Sequence, residues 1–346
     1  MSTPSRPSLV RHWLALAEEL VGRAAPRLDA LNLFPVPDAD TGTNMLATLT
    51  AARTAADACP AQDDAGAVLA HAGAAALDSA RGNSGMLLAV SLAGMAEPLR
   101  GRERVDAFAL AAAFGAADRA ARQALSDPRE GTILTVLSAA ARSLARSSTQ
   151  APDTPAVAGD ADPAVRLGPA VTVMLADCVQ AVEETESLLA PLTRAHVVDA
   201  GAVGLLWVFE ALRAVVTGTP VDEELATALP GYVEGAHAAE GEPAAAAEAP
   251  IEGAVEVMGT LALTPLAAAE LRRRLTDVGD AVILAPVGTA RDAQGRVPWR
   301  VHVHVPRAED AIGPLRAAGD VEGLAVTDLA EPSHGDDAAP DGCHGR

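Results

Sequence analysis

Two aspartates one residue apart, Asp38 and Asp40, stand directly before a run of small polar residues, Thr41, Gly42, Thr43 and Asn44. They end a turn bracketed by Pro35 and Pro37, whose rings fix φ and hold the chain extended. Both carboxylates can therefore be aimed at one point. Hard oxygen ligands at this spacing suit Mg2+, which keeps several waters and bridges phosphate oxygens. A helix beginning at Thr41 would offer free N–H groups and the positive end of its dipole, a natural phosphate seat. A single aspartate before a helix is ordinarily only its cap. The coupling of two aspartates to the prolines and to Thr-Gly-Thr-Asn is what points to a metal–phosphate site, with Asp38 and Asp40 as catalytic and metal-ligating candidates.

The basic residues narrow the chemistry. All 26 of them are arginine. Without lysine, a Walker A phosphate loop, a kinase-type strand lysine and Schiff-base catalysis are excluded. Phosphates must then be held by metal, backbone N–H groups and arginine. A formal net charge of -20 argues against nucleic acid and anionic membrane surfaces as partners. Cys59, Cys178 and Cys343 are too far apart to indicate a disulfide framework or a zinc cluster. The apolar stretches are short or interrupted by charge, and the N-terminus lacks a signal pattern, so a cytoplasmic protein without an integral membrane segment is expected.

Three further Gly-bearing segments precede helical patterns. Residues 81–85 read Arg-Gly-Asn-Ser-Gly, with Asn83 and Ser84 able to cap a helix or to bind phosphate. Residues 128–135 read Pro-Arg-Glu-Gly-Thr-Ile-Leu-Thr, and residues 197–204 read Val-Val-Asp-Ala-Gly-Ala-Val-Gly. Each alone is common helix punctuation. Four of them in one bundle could line one of its ends.

The elements that would position them are helices. Apolar residues recur at helical spacing over 8–30, 42–58, 64–80, 85–99, 105–125, 132–147, 163–190 and 201–217, which predicts eight helices and no strand across residues 1–218. Aromatics make up only 2% of the chain, so the core must be built from Ala, Leu and Val. Residues 148–163 read as a surface loop and 219–250 as a linker rich in Pro, Gly, Ala and Glu. Beyond it, 251–330 changes character. Strands are expected at 255–263, 280–287, 299–305 and 321–327, with helices at 265–278 and 308–318. This β-α-β-β-α-β order describes a small two-layer α+β unit like the ferredoxin-like split motif. The polar tail 331–346 is expected to be disordered.

Residues 28–49 (LDALNLFPVPDADTGTNMLATL), 81–85, 128–136 and 188–205 resemble the nucleotide-binding, DhaL-like domain of dihydroxyacetone kinases, and more closely the ATP-binding subunit of bacterial fatty acid kinase. The resemblance implies an all-α, eight-helix antiparallel barrel with ATP at one end and two Mg2+ ions between acidic residues and the phosphates. It makes Asp38 and Asp40 the main ligands, with Asn32 near the position of a third. It assigns nucleotide or phosphate contacts to Thr41, Thr43, Asn44, Asn83, Ser84, Gly85, Thr132, Asp199 and Gly201. Where the family usually has Asp-Gly-Asp, Ala39 stands between the aspartates, and His196 and Ala202 replace customary glycines near the last motif.

The α+β unit resembles the same family through residues 299–306, Trp-Arg-Val-His-Val-His-Val-Pro. His302 and His304 alternate onto one strand face, a geometry suited to a shared metal. In the family, a cysteine on an earlier strand completes a zinc site. Here that strand carries Glu256 and no cysteine. A metal-free unit is the simpler expectation, with Glu256 as the one alternative oxygen ligand. The family's further domain after this unit is not contained in the sequence. Arg272, Arg273 and Arg274 could dock an acidic partner, although three arginines on a helix read first as a solvated face.

The implied activity is transfer of the γ-phosphoryl group of ATP to a fatty acid carried by a separate DegV-type lipid-binding protein, giving an acyl phosphate. The alternatives are a glycerone (dihydroxyacetone) kinase-type subunit, whose acceptor is a small hydroxyketone, and a non-catalytic nucleotide-binding regulator. A homodimer is among the assemblies compatible with each.

Overall fold

The computed structural model describes residues 6–60, 64–102, 105–149, 163–232, 254–288 and 290–329. Most of the expected loop 148–163, most of the linker 219–250 and the tail 331–346 lie outside the described residues.

The first part is helical: α1 (Arg6–Leu31), α2 (Thr41–Ala58), α3 (Ala65–Ser79), α4 (Gly82–Leu99), α5 (Ala107–Ala124), α6 (Ile133–Thr149), α7 (Pro163–Leu188), α8 (Ala190–Ala195) and α9 (Ala200–Thr217). Each long helix packs on its neighbour in sequence, and α9 returns to α1, so eight long helices close into a ring. The ninth, α8, is short and was not expected as a separate element. The chain turns extended at Leu189, Pro191 starts the new helix within its first two positions, and His196 ends it in the left-handed region at φ 54°. Pro191 has no N–H to continue α7, which is why the long helix stops there.

Small side chains let these helices approach closely. At the crossing of α1 and α2, a Cβ placed on Gly42 would lie 2.4 Å from the carbonyl oxygen of Ala25. The few aromatics are used centrally: the Trp13 indole donates to the Val208 carbonyl at 2.9 Å, and Phe114 packs against Phe209. Helix α9 is long and apolar enough by composition to cross a membrane, yet 78% of it is buried inside the ring. It also carries a buried ion pair. The Arg213 guanidinium donates to both Glu210 carboxylate oxygens at 2.6 Å, and Glu210 accepts a further bond from the Asp222 N–H at 2.7 Å.

The second part contains β1 (Val255–Leu263), α10 (Pro265–Thr276), β2 (Asp280–Pro286), β3 (Val297–Val305), α11 (Ala308–Ala318) and β4 (Val321–Asp328). The sheet is antiparallel in the order β2-β3-β1-β4, the arrangement that the β-α-β-β-α-β sequence predicts. Alternation along the strands sorts the residues by face. Val257, Leu261, Val301, Val303 and Val305 form a separate core with Leu271, Leu275 and Leu315 of α10 and α11. On the opposite face, Ile283 and Ala285 join the core of the helical ring. Backbone contacts seal that junction: Leu125 bridges Ile283, and the Ser126 N–H donates to the Val282 carbonyl at 3.0 Å.

Candidate metal and nucleotide site

The sheet face that turns toward the ring is polar near the start of α4. Register places Glu256 opposite His304 and Met258 opposite His302, so the histidines and the glutamate share that face. They meet the acidic turn between α1 and α2. A small cavity is lined by Asn32, Asp38, Asp40, Thr41, Asn44, Asn83, Ser84 and, from the α+β unit, His304.

Asp40 occupies the N-cap position of α2 but makes no side-chain cap bond. Asp29, in the last turn of α1, supplies the capping instead. Its carboxylate accepts from the N–H groups of Gly42 (2.6 Å) and Thr43 (3.0 Å) and from the Thr43 hydroxyl (2.7 Å). Two consequences follow. The start of α2 is already satisfied by an acid and is not an open phosphate seat. The carboxylates of Asp38 and Asp40 are left for another partner. Asn32 donates its amide to Asp38. Burial, then the charge of neighbouring Asp40, pushes Asp38 up to about 8, and burial likewise raises Asp40. Two buried carboxylates side by side repel each other, and a cation between them relieves that repulsion. Asn83 adds a buried side-chain oxygen that meets no donor among the described residues. This oxygen-only donor set fits Mg2+.

A second cavity of about 430 Å3 shares Phe34, Pro35, Asn83 and Ser84 with the first and extends past Arg129, Thr132 and Asp199 to the start of β2 at Gly279 and Asp280. All four Gly-bearing segments singled out in the sequence therefore reach these adjoining cavities. Not every residue named in them does. Thr43 is held by Asp29. Gly85 and Gly201 are close-approach positions: an added Cβ would lie 2.9 Å from Thr48 Oγ1 and 2.7 Å from Ser84 Oγ, respectively. Asp199 caps α9, accepting from the Ala202 N–H at 2.8 Å, and burial pushes it up to about 7. The Thr132 hydroxyl donates to the Arg129 carbonyl at 2.9 Å. Arg129, a cation on the wall, and Asp29 were not singled out in the sequence. The first is one arginine among many, and the second pairs across a turn that no spacing rule predicts.

The Glu256 cluster adjoins the aspartates. The Gly82 N–H donates to Glu256 at 3.0 Å. Ligand atoms of Glu256, His302 and His304 all lie within 4.8 Å of one another. His302 Nδ1 lies 2.9 Å from a Glu256 oxygen but is out of line for a hydrogen bond, and both its ring nitrogens and Nδ1 of His304 are buried without a hydrogen-bond partner among the described residues. Burial opposes ionisation of Glu256, but His302 beside it brings the carboxyl down to about 2. Burial, with His302 adding to it, lowers His304 to about 3. An ionised carboxylate and a neutral imidazole are the forms that ligate metal. Two histidines and one glutamate form a recognised donor set for open zinc sites.

The DAK2 domain profile matches residues 35–214, more than half of the chain. The chain belongs to the DAK2 domain family. Its fold is the family's all-α domain followed by a small unit with a four-stranded antiparallel sheet, and the family is a kinase-type one that binds nucleotide. Among curated relatives, Protein YloV of Bacillus subtilis is 33% identical over 211 residues, 61% of this chain and 35% of YloV. An uncharacterized protein of Staphylococcus haemolyticus, SH1689, is 32% identical over 198 residues, 57% of this chain and 33% of its own length. The chain thus spans about a third of the length of the curated relatives it matches.

The DAK2 framework gives the departures in the motifs a physical meaning. Ala39 has φ 55° and His196 has φ 54°, both in the left-handed region that favours glycine. Ala39→Gly removes a Cβ clash of roughly 1–2 kcal/mol, partly offset by glycine's greater freedom when unfolded. The expected net gain is about 0.5–1 kcal/mol, read as a rise in the denaturant midpoint with unchanged slope.

Proposed function

We propose that this chain is the nucleotide-binding part of a phosphotransferase that moves the γ-phosphoryl group of ATP to a fatty acid carried by a separate DegV-type lipid-binding protein. The observation that carries the phosphotransfer reading is the buried pair Asp38 and Asp40, in a small cavity that adjoins a larger one of about 430 Å3. Asp38 and Asp40 would hold Mg2+, which when bound would offset the charge that builds during transfer. Asp38 and Asp40 ligate, Asn32 orients Asp38, and Asn83 and Ser84 face the polyphosphate. Arg129, paired with Asp127 at 2.8 Å, lines the larger cavity, while Thr132 and the start of β2 bound the nucleoside. A carboxylate acceptor is ionised at neutral pH and needs no general base.

The fatty-acid form is favoured over the glycerone-kinase form by the α+β unit, which resembles the fatty acid kinase subunit and brings His304 to the wall of the aspartate cavity. We further propose that Glu256, His302 and His304 would hold a divalent transition ion. Titration calorimetry with ATP in the presence and absence of Mg2+ tests the first step, and Mg2+-dependent binding is expected. Phosphate transfer assayed with a lipid-loaded partner, with dihydroxyacetone and with neither then tests the acceptor. Absence of Mg2+-dependent binding would sink the phosphotransferase reading, and binding without transfer to either acceptor would leave a nucleotide-binding regulator.

A further inference from the structure

A larger cleft, about 610 Å3, opens on another side of the junction between the ring and the α+β unit. That volume is within the roughly 300–1,000 Å3 range of small-molecule sites. Its wall is mostly apolar, with Leu77, Val90, Ala268, Leu284, Pro286 and Trp299 contributing from both sides. None of these residues belongs to the aspartate site. Two arginines reach it, and their circumstances differ. Arg122 is neutralised by Glu130 at 2.7 Å and Asp118 at 3.2 Å.

Arg272 has no such partner. Its guanidinium donates to two backbone carbonyls, Gln123 at 2.7 Å and Leu284 at 3.2 Å, while its Nε is buried with no hydrogen-bond partner among the described residues. Burial lowers its pKa from the ordinary value, and no carboxylate counters that among the described residues. Arginine nevertheless keeps its proton. The adjacent arginines behave otherwise: Arg273 pairs with Asp277 at 3.0 Å and Arg274 pairs with Glu270, both on the solvent side of α10. Helical spacing turns Arg272 alone inward, so the Arg-Arg-Arg run is not one solvated face. A half-buried charge facing an apolar cleft is costly unless an anion accompanies it.

We propose that this cleft binds a single-chain anionic amphiphile, its head group on Arg272 and its alkyl chain along Val90, Leu125, Pro286 and Trp299. The inference is independent of the ATP reading, because neither metal nor nucleotide enters it. Of the three tryptophans in the sequence, Trp13 and Trp207 are buried in the ring and Trp299 lines the cleft, so indole emission reports on it. The test titrates the full chain with decanoate, decyl phosphate and decanol below their aggregation thresholds, with W299F as the optical control. Saturable binding of one or both anions is expected, and which of them binds tells a carboxylate source from a phosphate source. Arg272→Gln should weaken that binding roughly tenfold to a hundredfold, the worth of one charge-assisted hydrogen-bonding partner. If R272Q fails to fold, Ala269→Phe, which fills the cleft from its exposed rim, should abolish binding instead. No saturable response in the parent chain, decanol binding as well as the anions, or unchanged binding in the folded variants would each overturn the proposal.

Discussion

The double variant Asp38→Asn, Asp40→Asn is expected to lose Mg2+-dependent ATP binding while folding at least as well as the parent chain. Removing an outer-sphere partner of a metal commonly costs roughly 10–100-fold, so removing both inner carboxylates should cost at least about a hundredfold in affinity. Stability moves the other way. In the metal-free chain the two carboxylates are buried beside one another, and burial together with their mutual repulsion already raises Asp38 to about 8. Asparagine keeps the shape and removes the repulsion, as commonly happens when a binding site is neutralised at the expense of function. Neither residue caps α2, since Asp40 makes no cap bond and Asp29 satisfies the helix start, so no capping energy is lost. Calorimetric titration and a thermal melt on the same sample give both readings. A variant that melts well below the parent would mean that these carboxylates hold the fold, and one that binds Mg2+-ATP normally would remove the aspartates from the site.

The contrast between Asp29 and Asp40 shows what the sequence could and could not carry. The Pro-Asp-Ala-Asp-Thr-Gly-Thr-Asn run is legible as a candidate site because its signal is local, with prolines, acids and a helix start within a few residues. The same local reasoning offers the N–H groups of α2 to phosphate, whereas in the structure a carboxylate accepts from those of Gly42 and Thr43. The acid that takes them sits in the preceding helix, brought across by the crossing at Gly42. The strands of the α+β unit were legible from alternation, while the register that sets Glu256 opposite His304 is seen only in the structure. That this face would meet Gly82, 174 residues earlier, was not legible, because nothing in either segment encodes the docking of one unit on the other. The break that creates α8 was missed for a related reason. Its apolar spacing continues that of α7, and Pro191 is as acceptable at a helix start as it is disruptive within one.

That long-range contact underlies the second prediction, in which substitutions at Glu256 separate two roles. Glu256 is a candidate ligand with His302 and His304, and it also accepts the Gly82 N–H at 3.0 Å, at the helix start that carries Asn83 and Ser84. Glu256→Gln keeps an acceptor for Gly82 but exchanges the carboxylate for a weak metal ligand. Stoichiometric zinc retained by the parent after dialysis should therefore be lost, at least about a hundredfold in affinity by the same comparison with outer partners. ATP affinity should change little. Glu256→Ala removes both functions. It leaves the Gly82 donor without its charged acceptor, at about 1.5–3 kcal/mol, and frees the helix start that positions Asn83. Zinc retention and Mg2+-ATP affinity should fall together. His302→Ala supplies the third arm, since it should lose zinc while keeping the bond to Gly82 and most of the ATP affinity. Elemental analysis after dialysis and calorimetry with ATP read the two roles independently. If E256Q and H302A hold zinc as the parent does, the three residues do not form a metal centre. If E256A binds Mg2+-ATP unchanged, the α+β unit does not brace the nucleotide site through Gly82.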